Sequence, residues 1–196
     1  SGARYPSVSS VMGKINQGAI IAWRKRVGSQ EAARVSSDAS GRGNAVHKVC
    51  ELYLNNDLDS FQDAMMENRT DRLFRQLQPV LDRCVNRVYG TEVPLYSDLL
   101  RLAGTCDVIV EWNGVMTVVD YKTSGKPKRR EWVQHYFLQC AAYALMISER
   151  TGVRIPQFVV CIAIEGQAEP TIFCEKTKDY LDDLHKVLLT HGALAV

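Results

Sequence analysis

The stretch GTCDVIVEWNGVMTVVDYKTSG, residues 104 to 125, constrains this chain more than any other. Two apolar runs flank Asn113-Gly114, the strongest short hairpin signal, because a type I′ turn needs positive φ at both central residues. A two-residue loop there pairs Trp112 with Val115. Carried along both strands, that register sets Asp107 opposite Asp120 on one face, with Cβ atoms roughly 5 Å apart. Lys122, two residues beyond Asp120, joins the same face. Three charges therefore converge inside an apolar frame of Val108, Ile109, Val118 and Val119.

Like charges directly opposite one another destabilise a sheet. Two carboxylates so placed call for a shared proton or a bound cation. Carboxylate oxygens with room for water and phosphate oxygens suit Mg²⁺ or Mn²⁺. A lysine beside such a cation can orient or activate a water and stabilise charge on a phosphorane-like transition state. The bland alternative is a surface acid–lysine network on a sheet edge. The apolar neighbours argue against it, since burying two acids without a cation is costly.

The rest of the composition sets bounds. At 196 residues and 46% hydrophobic, the chain suits one globular domain spanning 1–196. A formal net charge of +2 does not by itself announce a nucleic-acid partner. Basic residues do cluster, at Arg24-Lys25-Arg26 and at Lys126, Lys128, Arg129 and Arg130. The six cysteines show neither CxxC pairing nor metal-ligand spacing, and several occupy apolar positions. They read as buried thiols in a reducing compartment. No apolar run reaches membrane-spanning length, and no signal-peptide pattern opens the chain.

Periodicity divides the domain into a mainly helical part, 1–88, and a β-rich core, 89–196. Helices are expected over 7–27, 30–40 and 44–54, with a break at Gly41-Arg42-Gly43. A longer helical stretch, 59–89, is expected to break or kink at 68–70 or at Pro79. Strands follow at 92–96, 102–112 and 115–121, then a helix over 131–150. A doubly buried strand spans 157–164, a short strand 171–175, and a helix over 177–190 closes the chain. The fold class is α/β in the α+β mixed sense: a central mixed sheet flanked by helices, with a helical N-terminal half.

At the hairpin the chain resembles the PD-(D/E)XK nuclease superfamily, whose signature is an acid on one strand and acid-x-lysine on the next. Here these are Asp107 and Asp120-Tyr121-Lys122. "GTCD" followed by "VVDYKTS" resembles the RecB-type branch in particular. Gln139-Cys-Ala-Ala-Tyr143 is similar to that branch's Q-x-x-x-Y motif. His47 in "RGNAVHKVCELYL" resembles its upstream helical histidine. "YPSVSSVM" and "AWRKRVG" are similar to segments of phage and mitochondrial exonucleases of the branch, so the resemblance runs from about Tyr5 to Tyr143.

The resemblance implies a restriction-endonuclease-like core and a Mg²⁺- or Mn²⁺-dependent DNA exonuclease. Single-stranded DNA with free ends would be its partner, in replication, recombination or repair beside other proteins of those processes. A duplex-processing exonuclease, a structure-specific endonuclease or a catalytically idle nucleic-acid-binding relative are the alternatives. Asp107, Asp120 and Lys122 would be catalytic. His47, Asp107, Asp120 and the backbone carbonyl of Tyr121 would hold the metal. A lone helical histidine can also be a packing residue, and Glu92 either joins the site or only orients it. Gln139 and Tyr143 share a helix face and would contact DNA or position the lysine, or else form core and rim. Arg42, Lys126, Lys128, Arg129 and Arg130 are strand-contacting candidates, with Trp132 and Tyr136 as stacking partners. Only Cys161 and Cys174 follow the Q-x-x-x-Y segment, so the iron–sulfur cluster of some relatives is not expected. The implied compartment is the cytoplasm of a phage-infected bacterium, or the mitochondrial matrix if a targeting segment was removed.

Overall fold

The computed structural model describes residues 4–68 and 71–191. Helices α1 (Val8–Gly13), α2 (Gln17–Val27), α3 (Ser29–Leu54), α4 (Leu58–Asn68) and α5 (Asp71–Cys84) form the N-terminal part. Strands β1 (Val85–Ser97), β2 (Leu102–Trp112) and β3 (Val115–Ser124) follow. Then come α6 (Gln134–Thr151), β4 (Gln157–Ile164), β5 (Thr171–Lys176) and α7 (Leu181–His191). The five strands make one sheet in the order β1-β2-β3-β4-β5, in which only β3 and β4 run parallel. This is the mixed sheet with flanking helices that the sequence pattern predicts. β4 carries seven consecutive buried residues, as a strand covered on both faces should.

Two apolar cores cover the two faces. On one, Val118, Phe158, Val160 and Ile162 pack with Phe137, Ala141 and Met146 of α6 and with residues of α1 and α7. On the other, Val108, Val110, Val119 and Cys161 pack with Val46 and Val49 of α3 and Phe74 and Leu77 of α5. Five of the six cysteines are buried, which suits the expectation of thiols in apolar positions.

The expected break at Gly41-Arg42-Gly43 does not occur: α3 runs unbroken through all three residues. Each glycine costs roughly 1 kcal/mol of helix propensity. The fully buried Val46, Val49 and Cys50 on the same helix outweigh that cost. Pro79 likewise sits inside α5, held by a buried stripe of Leu73, Phe74, Leu77, Val80 and Leu81. Two of the expected break residues, Arg69 and Thr70, lie outside the described residues.

The helical stretch expected to reach residue 89 ends at Cys84, and the strand expected at 92–96 begins at Val85. The tie between this strand and the hairpin explains the early switch. Asn113 N–H donates to Cys84 O at 2.8 Å, and Gly114 N–H to Asn86 Oδ1 at 2.8 Å. The turn itself is as predicted, with φ of 49° at Asn113 and 80° at Gly114.

Candidate active site at a fork in the sheet

From Trp112↔Val115 to Val108↔Val119 the hairpin keeps the register set by its turn. There its ladder stops. β2 continues toward its start paired only to β1, and β3 continues toward its end paired only to β4. The freed edge of β2 is taken instead by the N-terminal segment, where Ala103 N–H donates to Pro6 O at 3.0 Å. The strands thus open into a fork at the position of Asp107 on β2 and Asp120 on β3.

β2 also changes phase at this point. Residues two apart on a strand share a face, yet Cys106 belongs to the α6-side core and Val108 to the α3-side core. In the β1–β2 register Glu92 falls opposite Asp107, between Thr91↔Val108 and Val93↔Cys106, but that rung is missing from the ladder. Glu92 has φ of 47°, a left-handed conformation that costs a non-glycine residue about 1 kcal/mol or more. Glu92 and Asp107 thus hold matching positions on β1 and β2 outside the ladder, and Asp120 follows the last hairpin pair on β3.

Four groups hold Asp107 and Asp120 and the backbone between the strands. Asp107 Oδ2 accepts the Tyr121 N–H at 2.8 Å, so its carboxylate replaces the backbone partner that β2 would have supplied. His47 reaches in from α3, with Nε2 2.7 Å from Tyr121 O and Nδ1 3.5 Å from Asp107 Oδ2. Lys122 Nζ lies 2.5 Å from Asp120 Oδ2 and donates to Tyr121 O at 3.3 Å. From α6 on the opposite face, Gln139 Nε2 donates to Asp120 Oδ1 at 3.0 Å. Two helices from opposite layers thus converge on the fork.

The electrostatics follow from burial and like charge. Asp120 is 1% exposed, and burial pushes its pKa up to about 6; Lys122 opposes the shift and Asp107 adds to it. Glu92 is also raised, by burial and then by the Asp107 charge. Burial works against the Lys122 ammonium, but Asp120 and Asp107 outweigh it and hold its pKa above the usual lysine value. Lys122 is thus a charged donor and not a free base in this arrangement. The Tyr136 ring lies 5.2 Å from Nζ, a cation–π contact that also favours the ammonium.

The donor set suits a hard divalent cation. One ligand atom each from His47, Glu92 and Asp107 lie within 4.8 Å of one another, and the Tyr121 carbonyl oxygen lies against His47. Asp120 borders this cluster but faces Lys122 and Gln139.

The remaining candidates divide by engagement. Tyr143 is 3% exposed, so it is a core residue; a Cβ at Gly104 would lie 2.9 Å from its hydroxyl oxygen. Arg42 bridges Glu165 Oε1 at 3.1 Å and Thr123 Oγ1 at 3.4 Å. Arg130 is committed to Glu175 and to the Tyr180 hydroxyl. Lys126, Lys128 and Arg129 are exposed on the segment that joins β3 to α6, and Arg129 stacks over the exposed Trp132. Missed by the sequence reading were His135, beside Tyr136, and Asn16, whose amide lies 2.9 Å from His135 Nδ1. That pair spans 119 positions, and no local pattern announces it.

A family model for the PD-(D/E)XK nuclease superfamily matches residues 22–194. The chain belongs to that superfamily. Its members are nucleases that generally use divalent metals, so a nucleic-acid substrate is implied here. No curated protein matches the chain. Among 23 matching chains of solved structures is one described as "Crystal structure of SSO0001". It is 12% identical with a TM-score of 0.36, over 76% of this chain and 74% of that one. Among the described residues no helix is long and apolar enough to cross a membrane.

Proposed function

We propose that the chain is a Mg²⁺- or Mn²⁺-dependent deoxyribonuclease acting as an exonuclease, with single-stranded DNA preferred, in replication, recombination or repair. One observation carries the reading. Carboxylates of Glu92 and Asp107 gather with the His47 imidazole within 4.8 Å of one another where the hairpin ladder ends, and Asp120 beside them pairs with the half-buried Lys122 ammonium. Such a concentration of negative charge is stable only with cationic partners.

His47, Asp107, Asp120 and the Tyr121 carbonyl would hold the metal, and Glu92 would complete or orient the set. When bound, the cation would supply Lewis-acid charge at the scissile phosphate. Lys122, kept as an ammonium by its acidic neighbours, donates to a phosphate oxygen where charge develops. Gln139 fixes the Asp120 carboxylate and so the direction in which Lys122 points. The exposed Lys126, Lys128 and Arg129 take backbone phosphates. Trp132, 56% exposed, offers a stacking face, and stacking needs bases freed from pairing, which favours a single strand. Tyr143 packs and positions.

The test is degradation of end-labelled linear and closed circular single strands, and of duplex, with Mg²⁺, with Mn²⁺ and with chelator. Linear single strands should disappear only with metal, and Asp107→Asn, Asp120→Asn and Lys122→Ala should each lower the rate at least about a hundredfold. Full activity in Asp120→Asn or Lys122→Ala would sink the catalytic assignment. Rapid linearisation of the circle would point to an endonuclease, and preference for duplex to a duplex-processing enzyme.

A further inference from the structure

A second concave site lies at the far end of the sheet. A cleft of about 410 Å³ opens between the C-terminal half of α6, the start of β4 and the approach to α7. Its floor is aliphatic, built from Ala144, Leu145, Ile155 and Leu181. Three exposed cations, Arg154, Lys176 and Lys178, stand around it, and among the described residues no acid lines it. Among the described residues none of the three is paired with a carboxylate. Thr177 lies between the two lysines in sequence and also lines the cleft; its buried hydroxyl has no hydrogen-bond partner. Buried hydroxyls are normally satisfied, and this one is left without an acceptor beside the cleft.

The cleft is separate from the fork. Gln139, at the fork, and Ser148, in the cleft, are nine residues apart on α6, about 14 Å along its axis. Val115, which also lines the cleft, is five residues before Asp120 on β3, about 16 Å along the strand.

We infer that this cleft docks an acidic peptide segment of a partner protein, with one apolar side chain seated on the aliphatic floor and carboxylates met by Arg154, Lys176 and Lys178. Charge complementarity decides the sign of the ligand: three free cations and no acid select an anion. The floor decides its class. Base stacking on an aromatic face is not available here, since the lining has none, and a phosphate backbone held by the three cations would leave the aliphatic floor uncovered. An aliphatic floor of this volume instead suits a single large apolar side chain, the anchor of peptide recognition. The inference is independent of the nuclease reading, since it uses none of the fork residues.

The experiment measures binding of a fluorescein-labelled acidic peptide carrying one phenylalanine among aspartates, to the full chain, by anisotropy without DNA or metal. Saturable one-to-one binding is expected, weakened by salt. It should fall at least about tenfold in Lys176→Glu/Lys178→Glu and, separately, in Ser148→Phe, which fills the cleft. Replacing the phenylalanine of the peptide with serine should weaken it similarly. The two lysines are exposed, so their variant keeps the test valid if Ser148→Phe fails to fold. Nuclease activity of the charge variant should equal that of the wild type. No binding up to about 1 mM peptide, or binding indifferent to all three changes, would overturn the inference. So would displacement of the peptide by dTMP or by oligothymidylate, which would assign the cleft to nucleotide or DNA.

Discussion

At the scale of single residues, the fork depends on close packing as much as on charge. Gly104 lies three residues before Asp107 on β2, and Tyr143 lies one helical turn after Gln139 on α6. A Cβ at Gly104 would meet the Tyr143 hydroxyl at 2.9 Å and a ring carbon at 3.0 Å, closer than real contacts allow. The ring is buried and cannot swing into solvent. Gly104→Ala should therefore destabilise the protein by about 1–3 kcal/mol, the usual result of overpacking. Tyr143→Leu in the same background should recover part of the loss, a coupling that a double-mutant cycle by urea denaturation reads directly. An unchanged midpoint in Gly104→Ala would mean that β2 and α6 are not pressed together there. This contact gives the tyrosine of the Q-x-x-x-Y segment a physical role, because it sets the distance between the strand that carries Asp107 and the helix that carries Gln139.

At the scale of elements, local signals were readable where one interaction decides, and unreadable where tertiary packing overrides local preference. The Asn113-Gly114 turn decided the β2–β3 register by itself from Trp112↔Val115 to Val108↔Val119, but the pairing expected to continue to Asp107 and Asp120 is not part of the ladder. The fork could not be read, because a ladder that stops at Val108↔Val119 leaves no mark in the apolar alternation. The place of Glu92 was equally hidden, since it depends on the β1–β2 register and on a positive φ. The α3 reading failed for a physical reason: two glycines weaken a helix but do not end one whose later turns are buried. A Cβ at Gly41 meets nothing within 4 Å. Gly41→Ala should then stabilise the protein by roughly 0.5–1 kcal/mol through helix propensity and a less disordered unfolded chain. A lowered melting temperature would contradict the unbroken helix.

The segment before α6 makes a second element-scale prediction. The Arg130 hydrogen bond to Glu175 holds that carboxyl below its ordinary value of 4.5, against partial burial and with help from the Tyr180 hydroxyl. A depressed folded-state pKa contributes stability that is present above the unfolded value and is lost as pH falls through the folded one. The pair tethers the basic connection to β5, so its loss below about pH 4.5 should loosen the segment carrying Lys126, Lys128 and Arg129. Arg130→Gln should be less stable than wild type at neutral pH, with the difference shrinking as pH falls through that range. A difference constant with pH would show that packing, and not the ion pair, accounts for it.

At the scale of the whole molecule, the fork is where both layers of helices meet the sheet, and a ligand there should report on the entire fold. His47 comes from α3 on one face of the sheet and Gln139 from α6 on the other, while the three acids lie on β1, β2 and β3. A cation bound only by the folded chain at one hundred times its Kd adds about 2.7 kcal/mol. For a chain of this length that is a rise of about 5–10 °C in Tm. Asp107→Asn separates charge from shape in this linkage. Its amide oxygen can still accept the Tyr121 N–H, so the clamp between β2 and β3 survives. The site loses one of three neighbouring like charges, which relieves Glu92 and Asp120, both raised in part by Asp107. In chelator, Asp107→Asn should therefore melt at or above the wild-type temperature, while its response to Mn²⁺ should fall to near zero. Calorimetry with and without Mn²⁺ distinguishes the outcomes. An equal rise in both proteins would place the cation elsewhere, and a chelated variant far less stable than wild type would make Asp107 a structural acid and not a poised metal ligand.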